Sequence, residues 1–187
     1  MANDMTPSLL VAPPSLLSPP FDESVIILAG HENDTYTGFI LNRPIGITIN
    51  NLLSPASDQD LFFTDRPVLF GGPSSKNSGF VLYEHKKKSP LAPGFSISRT
   101  LSISPSRRLL DDGARGDLPG RFDLLLGCSF WAKGQLTREL SRGEWLHIPF
   151  CPEIIFDVPP EDRWLHAYKH LGIKPYAFMQ VPGGAQA

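Results

Sequence analysis

Apolar residues along this chain come in short runs cut by proline and glycine, a spacing that suits strands and compact turns better than long helices. Ser24–Ala29 (SVIILA) is an unbroken apolar run, which predicts a strand buried on both faces. A polar turn with His31, Glu32, Asn33 and Asp34 separates it from Thr37–Leu41 (TGFIL), and the pair predicts a hairpin. Val68–Phe70 and Phe80–Tyr83 flank the small-residue stretch Gly71–Gly79, which reads as a hairpin turn. Phe122–Leu126 (FDLLL) is the last clear strand, and Thr100–Ile103 and Trp145–Ile148 are shorter alternating candidates.

Two segments carry a helical period. In Pro160–Leu171, Pro160 suits the first helical position, Glu161 and Asp162 suit the positive end of the helix dipole, and Gly172 suits the C-terminal cap. Trp164, Ala167, Tyr168 and Leu171 fall on one stripe, with Asp162, Arg163, His166, Lys169 and His170 opposite, on the face expected to meet solvent. The second helix runs from about Ala132 to Arg142, with Ala132, Leu136 and Leu140 on its buried side and Gln135 and Glu139 one turn apart along the edge. Glu84–Gly120 reads as surface loops around one or two short strands, with a short helix at Pro105–Leu110.

Composition narrows the class. At 187 residues, one domain over 1–187 is expected, with 41% hydrophobic residues to close a core. Lys and Arg number 17 against 19 Asp and Glu, so the basic excess of a phosphate-neutralising nucleic-acid binder is missing. Cys128 and Cys151 do not make a disulfide framework. Met1–Pro14 lacks a basic start followed by a long apolar run, and no apolar run approaches the roughly 20 residues of a membrane helix. A cytoplasmic protein with no membrane contact is expected, and no cofactor is implied.

Candidate chemistry is sparse. His166 and His170 have metal-ligand spacing on a helix but lie on its solvated face, so no metal site is expected. Gly127-Cys128-Ser129-Phe130-Trp131 follows a strand and precedes a helix, where a nucleophile elbow would sit, but Trp131 replaces the final glycine of that motif. Cys128 is the other nucleophile in that stretch, and neither it nor Ser129 has a base paired to it in the sequence. In Asn42-Arg43-Pro44, the proline biases Arg43 toward an extended conformation at a strand end. There it would either hold a carboxylate or phosphate bidentately, or pair internally while Asn42 caps a turn.

In order along the chain stand Leu10-Val11-Ala12-Pro13, Phe21-Asp22-Glu23-Ser24-Val25, His31, Gly38-Phe39-Ile40-Leu41-Asn42-Arg43-Pro44, Gly71-Gly72-Pro73 and Gly79-Phe80-Val81-Leu82. Leu126-Gly127, Trp131, Gly134-Gln135-Leu136, Glu139, Trp145, Glu153-Ile154-Ile155-Phe156-Asp157, Pro159-Pro160-Glu161, Arg163-Trp164 and Leu171-Gly172-Ile173 follow. This ordered set resembles the AlgH/YqgE family of bacterial proteins over nearly the whole chain. The resemblance implies an α+β fold, with a forked, mostly antiparallel sheet that includes a small closed β-barrel and helices packed around it. It also implies a cytosolic bacterial protein, of a group often labelled as transcriptional regulators without a defined mechanism. Family members usually read L-G-Y-A-G-W-G-P-G-Q-L where this chain has Cys128, Ser129, Phe130, Ala132 and Lys133, a change expected to alter the turn before the helix.

Two functions compete. One is a regulatory or interaction protein that acts through a partner or small ligand; direct DNA readout is not expected, since no helix-turn-helix is visible and the better helix begins with acidic residues. The other is an enzyme or binding domain for a small anionic ligand, using Asn42, Arg43, Gly71 and Gly72 with His31 or Glu139 for proton transfer. Gln135, one turn before Glu139, completes the candidate set.

Overall fold

The computed structural model describes residues 6–53, 65–86, 90–132 and 134–175. Strands β1 (Ser8–Val11), β2 (Val25–Glu32), β3 (Thr35–Ile40), β4 (Pro44–Thr48), β5 (Pro67–Phe70), β6 (Ser74–Glu84), β7 (Phe95–Ser96) and β8 (Leu101–Ser104) are followed by helix α1 (Arg107–Ala114). Then come β9 (Phe122–Trp131), α2 (Gln135–Ser141), β10 (Leu146–Pro149), α3 (Pro152–Phe156) and α4 (Arg163–His170). The strands form one sheet in the order β10-β1-β2-β3-β9-β6-β8-β7, and β4 and β5 branch from it.

The fork lies at β9. Its Leu124–Leu126 segment runs parallel to β5, its Ser129–Trp131 segment runs antiparallel to β3, and β6 pairs antiparallel with its other edge. Gly71 fills the gap between the branches: its N–H donates to the Leu126 carbonyl at 2.6 Å and its carbonyl accepts from Ile40 at 2.8 Å. A Cβ at Gly71 would strike the Gly127 carbonyl, and one at Gly72 would strike Cys128, so backbone passes backbone here and only glycine fits.

Strand periodicity explains why β1, β2 and β3 face two different cores. Leu9, Val11, Val25, Ile27, Phe39 and Leu41 point to one core, while Leu10, Ala12, Ile26, Leu28 and Ile40 point to the other. The expected double burial of Ser24–Ala29 is found. In β9, Gly127 adopts φ +77 and shifts the alternation, so Leu125 and Cys128, three apart, share the first core. Trp131 is thereby delivered to the second, beside Leu136 and Trp145.

Several expectations change. The β2–β3 hairpin is present, turning on Asn33 and Asp34, both at positive φ. Gly71–Gly79 is not a hairpin turn, because most of it belongs to β6, and β5 and β6 each pair with β9 instead of with one another. The closed barrel gives way to an open, curled half-barrel: the end strands β10 and β7 are unpaired with each other among the described residues. β7 is only two residues long, and a side chain does the closing instead. Phe95 packs across Gly30, where any Cβ would meet its ring, and lies edge-on to Phe39 at 6.0 Å.

Arg163 is the largest departure from the helical wheel. It is buried at 3% exposure instead of facing solvent. Its guanidinium donates to the carbonyls of Val158 (3.1 Å) and Leu41 (2.6 Å) and to Asp123 Oδ2 (3.0 Å), while Arg66 holds the other Asp123 oxygen at 3.1 Å. Burial pushes the Arg163 pKa down and Asp123 opposes the shift. The rest of α4 is clamped to the end of β1, where the Trp164 indole (2.8 Å) and Tyr168 hydroxyl (3.2 Å) both donate to the Ala12 carbonyl.

Replacing Arg163 with Met leaves a buried carboxylate short of its partner and is expected to cost about 3–5 kcal/mol in urea unfolding. Removing both charges as Arg163→Met/Asp123→Leu is expected to cost less than the single change, and a larger loss in the double variant would refute this account. Burial raises the Tyr168 pKa to about 12. An unfolded tyrosine ionises near about 10, so the stability that Tyr168 contributes is complete below that pH and declines as pH rises toward 12. Ultraviolet titration of wild type against Tyr168→Phe checks this, and phenolate from Tyr168 appearing at its ordinary pH would contradict it.

Candidate functional site

A depression of about 400 Å³ opens at the second core between the loop 16–21, the start of β6, the end of β9, and α2 with Trp145. Its chemistry begins with two tryptophans. A buried indole N–H needs an acceptor, and one carboxylate oxygen serves both: Glu139 Oε2 accepts from Trp131 Nε1 at 2.8 Å and Trp145 Nε1 at 2.9 Å. Glu139 Oε1 accepts from Gln135 Nε2 at 2.8 Å, and Gln135 Oε1 in turn accepts from the Ala132 N–H at 3.1 Å. That backbone bond orients the Gln135 amide. The indoles pack edge-to-face at 6.2 Å, and Phe21 packs edge-on to Trp145 at 5.9 Å.

Phe21 is held there by residues singled out from the sequence. Arg43 donates to the carbonyls on either side of it, Pro20 (2.8 Å from Nε) and Asp22. Arg43 Nη2 also lies 2.8 Å from Asp22 Oδ1, an ion pair by distance whose angle is not that of a hydrogen bond. Asn42 bonds on both sides as well, accepting from Val25 N at 2.8 Å and donating to the Glu23 carbonyl at 2.8 Å. Of the two roles open to Asn42-Arg43, the one observed is internal. The shallow depression beside them, about 310 Å³, is lined by Asp22, Glu23 and Glu161 as well as Arg43.

The other candidates divide. Gln135 and Glu139 line the cleft itself. Gly71 and Gly72 are buried at the fork, and the Pro73 and Ser74 that follow them reach the cleft wall. His31 pairs through its backbone with Tyr36, which pairs with Trp131, and its side chain lies outside the described residues. Lys133 lies outside them too.

The nucleophile elbow is not formed. Gly127–Trp131 continues β9, so Cys128 and Ser129 sit in a strand and not on a strand-to-helix turn. Burial pushes the Cys128 thiol up despite a hydrogen bond from Ser75, which disfavours the thiolate. For the same reason, the turn that Phe130 and Ala132 were expected to alter is largely strand; Phe130 points outward at the cleft rim, 49% exposed. Ser129 also lines the cleft, and its buried hydroxyl has no hydrogen-bond partner among the described residues. His166 and His170 stand on α4 and join no group of three possible metal ligands among the described residues.

Sequence reading did not single out Trp145 or Phe21 as site residues, and it weighed Ser129 only as a nucleophile. The signal for the first was available: a tryptophan rich in neighbours needs an acceptor for its N–H, and Glu139 lies at a helix edge. Nothing local marks Phe21, which reaches the cleft only through a loop held 21 residues away in the chain.

A forked, curled α+β sheet with helices at its margins and an aromatic cleft at the end of its shared strand defines the class of protein. A family model described as AlgH-like matches residues 9–176. The chain belongs to this family. It is 34% identical over 189 residues to a UPF0301 protein of Anaeromyxobacter dehalogenans, covering 98% of this chain and 96% of that one. A UPF0301 protein of Vibrio parahaemolyticus is 36% identical over 178 residues, covering 92% and 94%. The solution structure of the AlgH protein from Pseudomonas aeruginosa superposes with a TM-score of 0.76 at 29% identity, covering 99% of this chain and 98% of that one. A Corynebacterium diphtheriae structure shares the fold at a TM-score of 0.69 and 20% identity, over 88% and 86% of the two chains.

Ser129→Ala removes a buried hydroxyl that has no partner, so stability is expected to stay level or rise by up to about 1 kcal/mol. Urea unfolding checks this, and a loss above about 1 kcal/mol would show that the hydroxyl supports the fold.

Proposed function

We propose that this chain is a regulatory or interaction protein of the bacterial cytosol that binds a partner in the Trp131–Trp145 cleft and does not read DNA directly. The supporting observation is the convergence of Gln135 and Glu139 with Phe21, Trp131 and Trp145 at one open cleft, with Phe130 exposed at its rim. Exposed aromatic side chains around a preformed depression are the usual anchors of recognition. Glu139 and Glu144 line the cleft and no Lys or Arg does among the described residues, which disfavours a phosphate backbone. Two free thiols, Cys128 and Cys151, suit a reducing compartment.

The competing reading, an enzyme or binding domain for a small anion, needs a free guanidinium at Arg43. Asp22 and two carbonyls engage that group, and further carboxylates face the adjoining depression. The interaction reading is therefore preferred.

Selection of a random peptide library displayed on phage, run on wild type and on Phe130→Ala, tests it. Peptides are expected to emerge whose affinity falls about tenfold or more in the variant, the 1.4 kcal/mol scale of an aromatic hot spot. An unchanged melting temperature would confirm that the variant is folded. Failure to enrich any peptide sensitive to Phe130 would count against the cleft as a recognition site.

A further inference from the structure

We infer that the cleft receives the guanidinium of an arginine side chain presented by a partner protein; this rests on the cleft being the recognition site. The argument starts from hydrogen-bonding capacity. Glu139 Oε2 is filled by two indole N–H groups, whereas Oε1 accepts only from Gln135 and keeps room for a second donor. Every donor to this carboxylate among the described residues is neutral, two indoles and an amide. Glu144 adds a second carboxylate at the wall; its described ion pair is with Arg142, at 3.7 Å between exposed groups, where water screens the attraction.

The independent observation is Ser129. A buried hydroxyl without a partner is uncommon in a folded protein and calls for an explanation. Ser129 is among the residues that line the same cleft as Glu139, with its hydroxyl set behind the surface against Gly72. A carboxylate oxygen and a hydroxyl with open acceptor positions together call for a donor-rich, positively charged group. The aromatic wall sharpens the choice. Guanidinium is planar, carries five donors, is weakly hydrated and stacks on aromatic faces, as ammonium does less well. Phe21 and the exposed Phe130 supply such faces. The volume of about 400 Å³ leaves room for a side chain and part of its backbone, and does not require a buried chain terminus.

The test is calorimetric titration of the whole protein with the blocked tripeptide acetyl-Leu-Arg-Leu-amide and with its citrulline and lysine counterparts. Methylguanidinium is titrated alongside. Citrulline keeps the shape of arginine and removes its charge. The arginine peptide is expected to bind at least about tenfold more tightly than the citrulline peptide and more tightly than methylguanidinium alone, the difference being the partner's backbone and flanking side chains. Glu139→Gln keeps an oxygen for both indoles and removes the charge, and is expected to weaken the arginine peptide about tenfold or more. Ser129→Ala is expected to weaken it several-fold without loss of stability, a combination that a purely structural serine does not produce. Equal binding of arginine and citrulline peptides, or undiminished binding to a folded Glu139→Gln, overturns the inference and leaves the recognition site standing. If methylguanidinium matches the arginine peptide, the ligand is a small free cation and the partner-protein assignment falls. If no peptide in the panel binds at millimolar concentration the inference also falls, and the Phe130-dependent library selection decides separately whether the cleft recognises anything.

Discussion

The buried Arg163–Asp123 pair is the point on which the architecture converges. Asp123 sits near the start of β9, the strand common to both branches of the fork, and Arg163 opens α4. The same guanidinium takes up the carbonyl of Leu41, just beyond β3, and that of Val158, ahead of α4. Segments as far as 122 residues apart in the chain therefore meet on one planar group. A cation is costly to bury, and it is tolerated here because a carboxylate and two carbonyls satisfy its donors. A hydrophobic substitute of equal volume would fill the space but would leave the Leu41 and Val158 carbonyls without this donor.

The cleft applies the same rule in reverse. Its central group is a carboxylate, and its donors are two indoles and an amide. Hydrogen bonds to a charged acceptor contribute about 1.5–3 kcal/mol each, enough to fix both tryptophan rings. Fixed aromatic walls lose little entropy on binding, which favours recognition. Neither candidate nucleophile sits on a turn: burial raises the Cys128 thiol pKa, and Ser129 lies within a strand.

Arg43 connects the two ends of the molecule's polar design. By engaging the carbonyls of Pro20 and Asp22 it sets the loop that carries Phe21 into the cleft. It is a positioning residue for an aromatic wall, and its charge is directed inward at Asp22. That the same short motif fits either anion binding or loop anchoring is a general feature of arginine at strand ends, because its guanidinium can donate to carboxylates and to carbonyls alike.

The sequence by itself determined some of the elements, where apolar saturation and period are local properties: Ser24–Ala29 is buried on both faces, and Pro160 with Gly172 brackets the last helical segment. It also identified Gln135 and Glu139 as neighbours on a helix edge, because four-residue spacing is enough to place them. The ordered motifs pointed to the family and to a forked sheet. Only the tertiary structure decided that β9 runs on to Trp131, because the left-handed Gly127 lets a strand continue past a residue that local reading takes as its end. Only packing showed that Arg163 is internal, since its partners Asp123 and Leu41 are distant in sequence and no helical wheel contains them. The sheet stays an open half-barrel for a similar reason: β7 is too short to continue the ladder, and Phe95 occupies space that the absent side chain of Gly30 leaves free. Local periodicity sets elements and faces, but which polar groups become partners depends on long-range approach, and that is where the cleft is made.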